Sequence, residues 1–423
     1  MTSAHDPSHI AGCVLDTFSA LPQKFKPRVL KDGRREWVPL AGIVLSTGKV
    51  DRHSWTGHAP GTSTRPLTCA ALATGMKCLP QSKVPLANGN VLHDWHAEVL
   101  AIRAFNAWLV DECADLARKG MGSEGAWLRW RARAGDTSRY EGGGPPFALK
   151  EDVRIHMYCS EAPCGDASME LTMAEQDDAT PWKEQPAIAP DTGEMEMLGR
   201  GNFDRLGIVR RKPARPDAPI SLSKSCTDKI AMRQCTSLLS ALTSLLVHPN
   251  NVYLSTLVLP ESQCVPRAVE RAFGANGRMA PLAEHQWADG YAFKPFTVLS
   301  TTREFAYSRR GTTVPPTSSN LACLYTPRKQ EVLINGALQG RKQSDPRGAS
   351  CASRRLMWKS VLDVAVSAGL PVLHSLLKKK SYTEVKKSDM LQQREQVKRQ
   401  ARDNALKGWK LNTGDEAWEL QDF

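Results

Sequence analysis

"DWHAEVL", residues 94–100, sets His96 two positions before Glu98 at the head of a long periodic run. Val99, Ile102, Phe105, Leu109 and Cys113 recur at helical spacing, and Gly120 stops the run. The spacing predicts a helix from Ala97 to about Lys119. It places a histidine and a carboxylate together at the helix start.

Working outward, "EWVPLAGIVLSTG" (36–48) reads as a strand, apolar and β-branched until Thr-Gly ends it. "LTCAALATGMKCL" (67–79) can pair with it. "VRIHMYCS" (153–160) alternates like a strand, and "PCGDASMELTM" (163–173) follows with Pro163 ahead of a predicted helix start. Residues 226–247 suggest a second helix, and 251–260, 320–326 and 330–336 suggest strands. Residues 351–408 read mainly as helix. Strands alternating with helices predict an α/β fold with a central sheet, helices on both faces and a helical C-terminal extension. Helix starts near 96, 164 and 226 would then meet at one end of that sheet. The stretches near 120–150 and 174–222 read as surface insertions in a single domain spanning 1–423, with a basic helical part at 351–423.

The chain has 423 residues, 41% hydrophobic and 24% charged, which allows a substantial core. No run nears the roughly 18 apolar residues of a membrane-crossing helix, so no membrane partner is expected. The first residues show no basic start followed by an apolar block, so an intracellular location is expected, with nucleus or cytoplasm left open. Eleven cysteines without a short regular framework read as reduced thiols plus a metal site. The net charge of +12 and a pI near 9.2 favour a polyanionic partner, most often nucleic acid. The excess is uneven: residues 376–410 hold eleven Lys/Arg against four Asp/Glu, and "KFKPRVLKDGRR" (24–35) is also basic. The basic residues of 24–35 and of 205–215 are candidates for phosphate contacts. No protein partner is evident.

A metal that activates water needs three protein ligands, an open position and a nearby acid/base that does not bind it. His96 and Glu98 suit the first ligand and the acid/base. Zinc deaminases pair such a His-x-Glu with a later Pro-Cys-x-x-Cys. Here Pro163-Cys164 is present, but Ala167 occupies the place of the second cysteine. Cys226 is the best third ligand, because it opens a predicted helix. Cys159 and Cys235 are the runners-up. Each feature alone is weak, since a buried cysteine is ordinarily a small core residue. Their combination, in order, is specific.

"HAEVLAIRAF", "SEAPCGDASMELT" and "SKSCTDKI" resemble the three signature blocks of the adenosine deaminases acting on RNA. "RQCTSLLSALTSLLVHPNNVYLSTLVLPESQ" and "FDRLGIVRRKPARPDAP" look closest to the fungal-type tRNA-specific branch. The resemblance implies a cytidine-deaminase-like three-layer core with a mixed sheet. It implies zinc held by His96, Cys164 and Cys226, with Glu98 carrying protons and Thr74 and Met76 beside the pocket. The implied reaction turns adenosine to inosine immediately 3′ of the anticodon in alanine tRNA. Editing of double-stranded or messenger RNA is the alternative. A reading of another class is a non-catalytic RNA-binding module stabilised by zinc; Glu98 argues against it, since a structural site has no need of a non-ligand acid.

The resemblance also implies a buried inositol hexakisphosphate. Positions matching its contacts are Arg103, Lys229, Tyr382, Lys386 and Trp409, with Arg233 as a substitute for an arginine expected at the neighbouring Met232, and with Lys359, Arg354 and Arg355 as candidates for one further contact. The chain departs from the pattern at Ile102 and Met232, where arginines are common, and at His93, where asparagine is expected.

Overall fold

The computed structural model describes residues 6–48, 66–131, 144–175, 197–199, 201–213, 218–311 and 316–420. Its strands are β1 (Glu36–Trp37), β2 (Leu40–Thr47), β3 (Leu67–Thr74), β4 (Leu128–Trp130), β5 (Phe147–Leu149), β6 (Val153–Cys159), β7 (Met197–Leu198), β8 (Arg210–Arg211), β9 (Val247–His248), β10 (Leu254–Pro260), β11 (Thr297–Thr301), β12 (Thr317–Ser318), β13 (Leu321–Tyr325), β14 (Gln330–Ile334) and β15 (Ala337–Leu338). Its helices are α1 (Pro7–Ser19), α2 (Ala97–Lys119), α3 (Met169–Ala174), α4 (Cys226–Thr236), α5 (Pro266–Phe273), α6 (Arg354–Ser367), α7 (Pro371–Leu377), α8 (Tyr382–Lys386) and α9 (Gln392–Asn404).

One mixed sheet runs β11-β10-β6-β2-β3-β13-β14-β15. β6, β10 and β11 are parallel to one another, while β2 is antiparallel to both β3 and β6. Leu40 pairs with Thr74 and Ala41 with Cys159. The start of β2 and the last residues of β3 and β6 therefore share one end of the sheet.

β2 is apolar almost throughout because both of its faces are covered. Ala41, Ile43 and Leu45 join the core under α2, while Leu40 and Val44 join the smaller core with Val14 and Phe18 of α1. A Cβ on Gly42 would lie 2.5 Å from Val14 Cγ1, so glycine here lets α1 rest directly on the sheet. α2 packs on β3 and on α6. It starts at His96, whose extended backbone (ψ 144°) precedes the first helical residue, and it ends at Gly120 with φ +90°.

Three sequence expectations need correction. The helix predicted over 226–247 stops at Thr236, because Ser237 takes a left-handed φ of +58°. Beyond it, Asn106 holds the chain in a non-helical path: its amide donates to Leu238 O (2.9 Å) and accepts from Ser240 N (2.6 Å). The helix predicted from Pro163 begins only at Met169, after a tight turn over Asp166–Ser168. Cys164 thus lies on a turn, not at a helix start.

The expected surface insertions are also partly internal. In 120–150, Leu128, Trp130, Phe147 and Leu149 are buried, and β4, β5 and β9 form a small sheet. In 174–222, Arg210, Arg211 and Lys212 are buried, which removes them as surface phosphate contacts. The remainder of those insertions, 132–143, 176–196, 200 and 214–217, lies outside the described residues.

Candidate active site

The end of the sheet where β3 and β6 finish carries the site. Ala97 N donates to Gly75 O (2.9 Å) and Trp95 N to Lys77 O (3.0 Å), so the loop after β3 holds the start of α2. The turn after β6 delivers Cys164. A Cβ on Gly165 would lie 2.3 Å from Ser225 Oγ, and its φ is +108°, so only glycine lets this turn lie against the start of α4. There the Ser225 hydroxyl accepts from Asp228 N and caps α4 (3.1 Å), with Cys226 as its first residue.

His96, Cys164 and Cys226 converge. One ligand atom from each lies within 4.8 Å of the other two. Cys164 Sγ is 3.8 Å from His96 Nδ1, and Cys226 N donates to Cys164 Sγ at 3.3 Å. A hydrogen bond from the Cys226 thiol, with the Lys212 ammonium near it, holds Cys164 well below the usual thiol range against the cost of burial. Burial and that same bond push Cys226 up. Two sulfurs and one imidazole form a donor set suited to zinc. Cys226 is buried, whereas His96 and Cys164 are half-buried.

Glu98 is the second residue of α2 and is 5% exposed. Burial first, and then the negative Cys164, raise its carboxyl above the usual range. A carboxyl poised upward can both take and return a proton.

The runners-up are excluded by position. Cys159 and Cys235 are buried core residues whose thiols burial pushes up, Cys235 to about 12. Thr74 does not face a pocket: it is fully buried, and its hydroxyl accepts from Cys323 N (2.9 Å). Met76 is half-buried in the loop that follows.

Sequence reasoning missed Lys212. Its ammonium donates to Asp94 Oδ2 (2.8 Å) and to Cys226 Sγ (3.4 Å). Asp94 also accepts from His96 N (3.0 Å), from Ser223 Oγ (2.7 Å) and from Lys229 Nζ. The only available signal was the Asp two residues before the histidine.

Lys229 leads into a cluster of cations. Burial and the neighbouring Arg354 lower Arg103 to about 10; burial, Arg394 and Arg103 lower Arg233 to about 9. Lys398 and Lys224, which sequence reasoning also passed over, fall to about 8 and about 7 mainly through burial. Lys386 lies 5.9 Å over the Tyr382 ring, Arg354 5.8 Å over the same ring, and Lys224 5.7 Å over Trp409. The cluster therefore includes Arg103, Lys229, Arg233, Tyr382, Lys386 and Trp409. Lys359 is exposed on α6, and Arg354 takes the inward place instead. Arg355 donates to Asn88 O and Glu419 O. His93 bonds Asp415 (2.7 Å), which also holds Arg354 (2.9 Å). No helix among the described residues is long and apolar enough to cross a membrane.

The adenosine-deaminase (editase) domain matches residues 71–413 of the chain. The tRNA-specific adenosine deaminase 1 of Schizosaccharomyces pombe is 37% identical over 414 residues, covering 96% of this chain and 95% of that protein. Its counterpart in Saccharomyces cerevisiae is 31% identical over 253 residues, 58% of this chain and 56% of that protein. The double-stranded RNA-specific editase Adar of Drosophila melanogaster is 25% identical over 45% of this chain and 26% of its own length.

Proposed function

The chain belongs to the adenosine-deaminase (editase) domain family, and on that premise we propose that it is a zinc-dependent hydrolase that deaminates adenosine to inosine in tRNA. One observation carries the mechanism: two sulfurs and an imidazole within 4.8 Å of one another, beside a buried carboxyl two residues from the imidazole. Zinc, when bound, acidifies water toward neutral pH and so supplies the nucleophile for attack at C6. Glu98 takes the proton that this water gives up. It returns one to the purine ring and then assists the departing ammonia. Asp94 and Lys212 hold the backbone of His96 and the sulfur of Cys226 in place. The target base leaves its stack to reach Glu98, which is easier in an anticodon loop than in a duplex.

Within this reading the substrate is alanine tRNA, at the adenosine immediately 3′ of the anticodon. The sheet is the cytidine-deaminase-like core of a single editase domain. The cation cluster around Arg103, Lys229 and Arg233 holds inositol hexakisphosphate. Half-buried cations in such number are costly without a counter-charge: Lys229 has Asp94, while Arg103 and Arg233 bond backbone carbonyls and are lowered by burial and by neighbouring cations.

The test is direct. Purified protein is given transcribed alanine tRNA and, separately, a long RNA duplex, and inosine is mapped by sequencing. Inosine next to the anticodon supports the reading. Inosine in the duplex alone overturns it in favour of double-stranded RNA editing.

A further inference from the structure

Residues 28–36 form a hairpin ahead of β2. Leu30 N donates to Arg34 O (2.8 Å), Glu36 N to Arg28 O (2.9 Å), and Val29 bridges Arg35. Gly33, with φ +81°, makes the tip. The hairpin stands clear of the core: Arg28, Lys31 and Arg34 are exposed, and Val29 is 71% exposed.

Its position follows from the sheet. β2 starts at the end where β3 and β6 deliver the site, so the segment just before β2 lies at the site's edge. A chain of bonds makes the link. Glu36 accepts from Ser319 Oγ (2.9 Å), Asn320 accepts from Lys77 Nζ, and Lys77 O accepts from Trp95 N beside His96. The Arg35 guanidinium lies 5.6 Å over the Tyr307 ring, which anchors the hairpin base.

The charges are unbalanced. Residues 24–35 hold six Lys/Arg and one Asp. Asp32 pairs with Arg34, with both side chains about half exposed, a weak surface contact. The Arg28 and Lys31 side chains have no ion-pair partner among the described residues. Unlike the cations near Arg233, these face solvent.

We propose that this hairpin grips the ribose-phosphate backbone of the substrate RNA next to the nucleotide that enters the pocket. The proposal rests on the RNA-deaminase reading. It assigns Arg28, Lys31 and Arg34 to positioning the strand, not to reading its bases.

The test uses the full chain with Arg28→Ala, Lys31→Ala and Arg34→Ala together. These exposed changes leave the fold intact, which circular dichroism checks. KM and binding affinity for alanine tRNA are measured over a range of salt. The triple variant is expected to lose affinity on the order of tenfold near physiological salt. Its log affinity should fall less steeply with log salt, by roughly two to three in slope, with kcat at saturation unchanged. A control triple, Lys378→Ala, Lys379→Ala and Lys380→Ala, removes the same charge from exposed positions after α7 and should change nothing. Unchanged affinity in the hairpin variant overturns the proposal. So does an equal loss in the control, which would mean that only net charge matters. A hairpin that binds anionic lipid vesicles in preference to tRNA also overturns it. Wild-type protein that binds tRNA but forms no inosine sinks the functional reading alone, because the affinity comparison still reports on the hairpin.

Discussion

Lys212 Nζ lies 2.8 Å from Asp94 Oδ2 while also touching Cys226 Sγ at 3.4 Å. One buried ammonium thus joins the segment that presents His96 to the sulfur on α4. Both partners are almost fully buried, with side-chain exposures of 4% and 3%. Lys212→Met leaves Asp94 with Lys229, Ser223 and the backbone N–H of His96, and it removes a donor to the Cys226 sulfur. Breaking a buried pair from one side costs about 3–5 kcal/mol. We expect a lower melting temperature and less than one metal per chain. Full metal content at wild-type stability would show that the contact is incidental.

Glu98→Gln keeps the size of the side chain and removes its ability to carry a proton. The three ligand atoms do not depend on it. Metal content and melting temperature should stay close to wild type, while deamination falls by roughly 10²–10⁴-fold. A variant that still releases ammonia from tRNA at the wild-type rate assigns the proton transfer to another group.

The metal-ligand set makes a sharp division among the cysteines. Cys164→Ser and Cys226→Ser should each abolish stoichiometric zinc, measured by elemental analysis after dialysis. Cys159→Ser and Cys235→Ser should retain it, because both are buried core residues outside the converging set of His96, Cys164 and Cys226. Chelation of the wild-type protein should stop activity, and zinc should restore it. Metal retained in both Cys164→Ser and Cys226→Ser would break the assignment.

Much of this was legible in the sequence because apolar periodicity and local chemistry agreed. α2 follows its stripe of Val99, Ile102 and Phe105, and β2, β6 and β10 follow their apolar runs. Distant residues failed where tertiary contacts decided. The end of α4 at Thr236 depends on the side chain of Asn106, some 130 positions earlier in the chain. Lys212 sits in a Pro- and Arg-rich stretch that composition marks as surface, and only the fold shows it beside Cys226. Thr74 looked like a pocket residue by position, yet the hydrogen bond to Cys323 turns it into the sheet. Lys359 and Arg354 share a helix, and the helix phase leaves Lys359 exposed while Arg354 reaches Asp415.

The cation cluster gives a pH-dependent prediction. Burial pulls Lys224 down to about 7, helped by Lys229, and Lys398 down to about 8, helped by Lys386. Burial and neighbouring arginines pull Arg233 to about 9 and Arg103 to about 10. For each group the folded chain holds its proton less firmly than the unfolded chain does. Through these groups the unfolded state binds more protons from about pH 7 upward, and the ligand-free protein should gain stability as pH rises from about 7 to about 8.5, above which the buried thiols of Cys159 and Cys235, raised in the folded chain, oppose the gain. A bound polyphosphate favours the charged forms and reverses the preference. Added inositol hexakisphosphate should thus raise the melting temperature most near pH 7, with the gain shrinking toward pH 10. Protein prepared without inositol phosphate is melted at both ends of the window, with and without the ligand. Arg233→Ala should reduce the gain, and Lys359→Ala should not. A gain that is equal at the two ends, or larger at high pH, would remove the cluster as the polyanion site.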